Sequence, residues 1–199
     1  MMSKTLKRLL LAASMCCLVT AANATPFDDA LNAEVKGDYK QALKIYRALA
    51  AQGDAAAQSR IGYMYQEGNG VTRNYQEALK WFRLAAAHDV EAKIMLGIKY
   101  ERGGNGFIKD YKEALRWYSL AAEQGDARAQ NYLGYMYYLG RGVPRDNVRA
   151  HMWFNLSKAS GNGYDEEAME HPEREMTPQQ IEKAQEMARK CQERNFKGC

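Results

Sequence analysis

Ala78-Leu79-Lys80-Trp81-Phe82 (78–82) returns as Ala114-Leu115-Arg116-Trp117-Tyr118 and again as Ala150-His151-Met152-Trp153-Phe154, each copy 36 residues after the one before. Ala42 and Tyr46 keep the same step ahead of the first copy. Three registers (an alanine, a tryptophan and an aromatic) held in phase over most of a chain mark internal repeats. A repeat of this length is one supersecondary unit that cannot bury its apolar face alone and stacks on its neighbours. The step therefore sets the fold class, and it favours binding by an extended surface over catalysis.

A second pattern precedes each copy. Ala57 to Gly68 read A-Q-x-x-I-G-x-x-Y-x-x-G, and Ala92 to Gly103 and Ala129 to Gly140 follow it. Ala57, Ile61, Gly62 and Tyr65 share one helix face. Gly62, Gly97 and Gly134 stand inside that helix, at a cost of about 1 kcal/mol relative to alanine, which predicts close approach of the partner helix. Gly68, Gly103 and Gly140 end it as C-caps. A short turn leads to N-caps at Asn74, Asp110 and Asp146. Glu77 and Glu113, three residues beyond the first two, predict capping boxes, as does Gln41 after Asp38. The second unit has one extra residue in its turn, Gly103-Gly104-Asn105-Gly106, and one fewer in the loop at His88-Asp89 before it, so the tryptophan interval survives.

The ends read differently. Lys4, Lys7 and Arg8, the apolar run Leu9 to Ala22, and Ala22-Asn23-Ala24 compose a secretory signal peptide cleaved before Thr25. The apolar run is short of the roughly 20 residues a spanning helix needs, and Met15-Cys16-Cys17 lacks the small residue of a lipobox. The expected division is a signal peptide at 1–24, a degenerate helical hairpin at 25–53, and three repeats at 54–89, 90–125 and 126–161. A helical cap follows at 162–199, its last helix launched by the capping box Thr177-Pro178-Gln179-Gln180. Loss of the leader takes 28 basic residues to 25 against 24 acidic ones, and the net charge from +4 to +1. That balance gives no basic stripe for nucleic acid and no polybasic patch for a membrane. Of the four cysteines, Cys191 and Cys199 remain, an even pair in an exported chain and hence an expected disulfide.

The signature A-x-x-x-L-G-x-x-Y-x-x-G-x-G-V, then D-x-x-x-A-x-x-W-(FY), then A-A-x-x-G, resembles the Sel-one-like repeat, the 36-residue branch of the tetratricopeptide class. Gly134 to Val143 carry it most fully. The resemblance covers Asp54 to Gly161, extends to Phe27 to Gly53, and includes Met176 to Ile181 in the closing helix. It implies a right-handed α-solenoid that acts as an adaptor or scaffold for another protein. For exported members it implies envelope assembly, host interaction, signalling or immunity against secreted toxic effectors. A cysteine-rich group of the family is penicillin-binding with weak β-lactamase activity; this chain lacks that group's cysteine pair in each repeat.

The sequence offers no catalytic constellation. His88, His151 and His171 have no metal-spaced neighbour, and His151, at the Leu79 and Leu115 position, reads as a packing or capping histidine. Neither S-x-x-K nor K-T-G occurs after the leader. Gly68-Asn69-Gly70 and Gly140-Arg141-Gly142 follow helices rather than strands, which makes them inter-helix turns and not phosphate cradles. Asp165-Glu166-Glu167 lacks the alternation of a calcium loop and reads as a helix start. No enzyme activity, cofactor or metal is expected.

One feature exceeds the repeat's own needs. Tyr63, Ile98 and Tyr135 occupy one repeat position, and Tyr132, Tyr138 and Leu139 crowd the last copy. In tetratricopeptide-class solenoids the first helices line the concave surface, and tyrosine offers a large area with a polar tip. Tyr63, Ile98, Arg102, Tyr135 and Tyr138 are therefore the expected partner-binding residues. The same rings could equally pack between adjacent repeats. The expected function is a non-catalytic periplasmic or secreted scaffold that holds a protein in its groove. The alternatives are an immunity protein that neutralises an antibacterial effector, and a peptidoglycan-directed or weakly β-lactam-hydrolysing enzyme.

Overall fold

The structure, a computed structural model, describes residues 25–161 and 166–199. The expected signal peptide at 1–24, Asn162 to Asp165 and the side chains through residue 169, the acidic run at 165–167 included, lie outside the described residues. Among the described residues ten helices follow one another: α1 Pro26–Val35, α2 Tyr39–Ala50, α3 Ala55–Glu67, α4 Tyr75–Ala86, α5 Val90–Arg102, α6 Tyr111–Ala122, α7 Ala127–Leu139, α8 Asn147–Ala159, α9 Glu166–Glu173 and α10 Pro178–Glu193. Each helix from α1 to α8 packs on the next, and α9 and α10 both pack on α8. The result is an α-solenoid of stacked hairpins. Its one β feature among the described residues is an isolated bridge between Gly104 and Phe107.

The 36-residue step is the buried seam. Ala42, Ala78, Ala114 and Ala150 are all fully buried, as are Tyr46, Phe82 and Tyr118, while Phe154 is nearly so. Trp117 and Trp153 are buried; Trp81 is half-buried and closes against the N-terminal cluster around Tyr46 and Ile61. The helical glycines are where two helices meet most closely. A Cβ added at Gly62 would stand 2.6 Å from the Phe82 ring, at Gly97 2.4 Å from Tyr118, and at Gly134 2.4 Å from Phe154. An aromatic ring of each second helix thus seats on the backbone of the first, in space that only glycine leaves.

Three expected capping boxes close only halfway. Asn74, Asp110 and Asp38 accept from the backbone N–H three residues on, but Glu77, Glu113 and Gln41 do not return the bond. The N-cap N–H groups already have partners across the hairpin: Asn74 donates to the Tyr65 carbonyl at 2.8 Å, Asp110 to Tyr100 at 2.8 Å and Asp38 to Ala33 at 2.9 Å. Glu77 and Glu113 turn instead to Lys80 and Arg116. Full boxes form at Thr25 with Asp28 and at Thr177 with Gln180, where no hairpin carbonyl competes.

The C-terminal cap is tied at two places. His151, fully buried, sits 2.6 Å from Glu173 Oε1 through Nε2 and 2.8 Å from Asn155 through Nδ1, which joins α9 to α8. A disulfide links Cys191 and Cys199. It folds the tail back so that Phe196 lies against the loop at Gly125, where an added Cβ would be 3.2 Å from the ring.

Candidate functional site

The first helices of the repeats line two adjoining clefts. The larger, about 510 Å³, lies between α5 and α7 and is walled by Tyr132, Tyr135 and Leu139 of α7 and by Glu101 and Arg102 of α5. Lys109, Tyr111 and Arg141 close its rim. The smaller, about 390 Å³, lies between α3 and α5, with Tyr63 on one side and Met95, Ile98 and Lys99 on the other. Arg102 borders both.

Tyr63 and Tyr135 reach this surface because of the glycine before each of them. Phe82 seats on Gly62, and Tyr63 then meets that ring edge-on at 5.1 Å; Phe154 seats on Gly134, and Tyr135 meets it edge-on at 5.1 Å. These tyrosines are therefore not independent of the core, as their repeat position suggested. They roof the glycine–aromatic contact and present their outer edge to the clefts. Burial, with Glu91 nearby, raises the Tyr63 phenol above its usual range, and its hydroxyl points at the Met95 sulfur at 3.1 Å.

The second repeat departs from its neighbours at the cleft floor. Two residues after the helical glycine the first and third repeats bury methionine, Met64 and Met136. The second has Lys99. Its ammonium stands 4.8 Å from the Tyr63 ring, 4.6 Å from Phe82 and 5.2 Å from Phe107, and donates to Gln66 Oε1 at 2.7 Å. Burial lowers its pKa. Phe107 completes this cage because the inserted turn folds in: Gly104 and Phe107 exchange backbone hydrogen bonds around Asn105, whose φ is 48°. Phe107 is buried, whereas Val71 and Val143, which follow the corresponding glycines, are half-buried.

Tyr138 does not belong with the other expected site residues. Its repeat position is that of Gln66 and Glu101, and each member of this set reaches the next unit along. Gln66 accepts from Lys99, and Glu101 pairs with Arg141 at 2.8 Å. Tyr138 has no further repeat to meet, so it stacks on His171 of the cap at 6.0 Å and lies under Arg145 at 5.1 Å. Tyr63, Ile98, Arg102 and Tyr135 share the cleft surface; Tyr138 is a junction residue. Lys99, Lys109 and Arg141 escaped the sequence reading, although Lys99 was visible as a charge standing in a methionine register.

Glu101 is the best-held acid of the surface. The Tyr118 hydroxyl donates to one of its oxygens at 2.9 Å and Arg141 to the other. Burial, reinforced by this carboxylate, pushes the Tyr118 phenol far up, and Tyr132 stacks on its ring at 4.6 Å. Among the described residues no group of histidine, cysteine and acidic side chains has the geometry of a metal site.

Comparison with known proteins adds sequence kinship to this geometry. The family model for the Sel1 repeat matches residues 31–54, 55–90, 90–126 and 127–162. Comparison with curated proteins finds no match. The chain is similar to a protective antigen of uropathogenic Escherichia coli that displays an SLR fold, with 34% identity and a TM-score of 0.65 over 78% of this chain. That match covers 34% of the antigen, so the chain spans about a third of its length. It is also similar to a Sel1 repeat protein from Oxalobacter formigenes, with 34% identity and a TM-score of 0.54, covering 66% of this chain and 97% of that one.

Proposed function

The chain belongs to the Sel1 repeat family, whose members are generally protein-interaction scaffolds, and from that premise we propose that it is an exported, non-catalytic scaffold that holds a protein partner along its first-helix face. The observation that carries this reading is the pair of adjacent clefts, sharing Arg102, that Tyr63, Ile98 and Tyr135 line. Aromatic and arginine side chains around a recess are the composition in which binding energy concentrates. Export is supported by the leader-like sequence at 1–24 and by the Cys191–Cys199 disulfide, a bond that persists in oxidising compartments. No helix among the described residues is long and apolar enough to cross a membrane.

The experiment is partner capture by crosslinking in periplasmic extract, with the mature chain as bait. Tyr63 and Tyr135 are poor positions to remove, because each edge-on pair contributes about 0.5–1.5 kcal/mol beyond burial. Ile98→Ala combined with Arg102→Ala leaves both glycine–aromatic seats intact. Loss of the captured partner at unchanged helicity is the expected result. Capture at wild-type yield would move the contact surface to the second-helix face or the cap.

A further inference from the structure

The two clefts hold a local excess of positive charge. Lys99, Arg102, Lys109 and Arg141 line them against two carboxylates, Glu91 and Glu101. Both carboxylates are already engaged, Glu91 by Arg128 at 2.6 Å and Glu101 by Arg141 at 2.8 Å. Lys99 donates to the neutral Gln66. Arg102 and Lys109 are exposed and make no ion pair with a carboxylate among the described residues. The whole chain has 28 basic and 24 acidic residues, so this excess is a property of the clefts.

The inserted turn of the second repeat organises these cations. Arg102 ends α5 just before the insertion and borders both clefts, while Lys109 follows the insertion and borders the larger. Between them Phe107 is buried and Ile108 is 84% exposed. Phe107 and Lys109 face the clefts, whereas Ile108 between them lines neither; Arg102 and Lys109 stand without a carboxylate among the described residues, the Lys109 ammonium 4.9 Å from the Tyr111 ring, and tyrosine rings lie in the recess on either side. Cations of this kind are satisfied by carboxylates, arginine in forked fashion. Tyrosine rings in a recess offer a large apolar face to a partner's side chain.

The geometry points to an extended acidic segment of a protein partner as the occupant, laid along the clefts with carboxylates on Arg102 and Lys109 and a bulky apolar side chain against Tyr63 or Tyr135 in the recesses. This rests on the scaffold reading above and names the class of partner. The test uses the mature chain and a fluorescein-labelled peptide of alternating glutamate and leucine, read by anisotropy. Binding is expected, and it should weaken as salt is raised, because the contacts are exposed charges. Arg102→Glu should lower affinity by about thirtyfold or more, as truncation of an anchor does, and Lys109→Glu by less. Both side chains are exposed, and a melting curve checks that each variant is folded. A lysine–leucine peptide should not bind, and a glutamate–serine peptide should bind more weakly. Absence of glutamate–leucine binding, equal binding of the lysine–leucine peptide, or indifference to both substitutions would overturn the assignment. So would displacement by a single-stranded oligonucleotide at equal potency, which would make the clefts a general polyanion site. Failure of the peptide with partner capture still abolished by the Ile98 and Arg102 double variant would remove the acidic segment and leave the scaffold reading standing.

Discussion

The second repeat and its two neighbours solve the same packing problem with different residues at one position. The first and third bury methionine, Met64 and Met136, each 1% exposed; the second places Lys99 there, under Tyr63, Phe82 and Phe107. The glycine–aromatic seat beside it is unchanged in all three. A repeat array thus tolerates a charge next to its core when a local insertion supplies the ring that covers it. The seat fixes the stacking, and the positions around it are free to vary.

The seam should be the hardest feature to alter. Trp117 is buried within the core cluster of the central unit, so Trp117→Ala should cost about 3–5 kcal/mol, read from chemical denaturation. A change within about 0.5 kcal/mol, the size typical of surface sites, would mean that the seam is not where stability resides. Next come the glycines. Gly97→Ala drives a Cβ into Tyr118, and Gly134→Ala drives one into Phe154. Overpacking costs about 1–3 kcal/mol, offset by about 1 kcal/mol of helix propensity. Tyr118 is pinned by Glu101 and stacked by Tyr132, while Phe154 has no polar tether. Gly97→Ala should therefore destabilise more than Gly134→Ala, and the reverse order would show that the tether does not limit relaxation.

The smallest effect has the opposite sign. Lys99→Met restores the residue of the neighbouring repeats and should stabilise by about 1 kcal/mol at neutral pH, at the low end for exchanging a desolvated ion for a packed apolar side chain. Burial depresses the folded pKa of Lys99 below its unfolded value, so the folded state binds fewer protons between the two. Its penalty is full below the folded pKa and is relieved as pH rises through it towards the unfolded value. The advantage of methionine should shrink over that interval. Only the difference between variant and wild type is informative, because Tyr46 and Tyr118, with raised pKa values, destabilise the fold above about pH 10. A difference independent of pH would remove the charge from the explanation.

The same contrast explains what the sequence disclosed. Helix order, the C-cap glycines and the N-caps at Asn74, Asp110 and Asp146 were legible because they recur at one step and obey local rules. The capping boxes were over-read, since a local motif cannot show that Tyr65 and Tyr100 carbonyls across the hairpin already hold the N-cap N–H groups. Tyr138 was misplaced for a related reason. Its register is the one that meets the next unit, and at the end of an array the next unit is a cap with no repeat pattern to announce it. Lys99 and the infolded Phe107 depend on how a single inserted residue bends a turn, which periodicity averages away.

The central claim is that the first-helix clefts, and not the opposite layer, meet the partner. A photoreactive residue placed at Ile98 samples the cleft; the same residue at Leu84, 48% exposed on the second helix α4, samples the other layer. Irradiation in intact cells should give a discrete crosslinked species from position 98 and none from position 84. Equal crosslinking from both positions, or crosslinking from position 84 alone, would contradict the account.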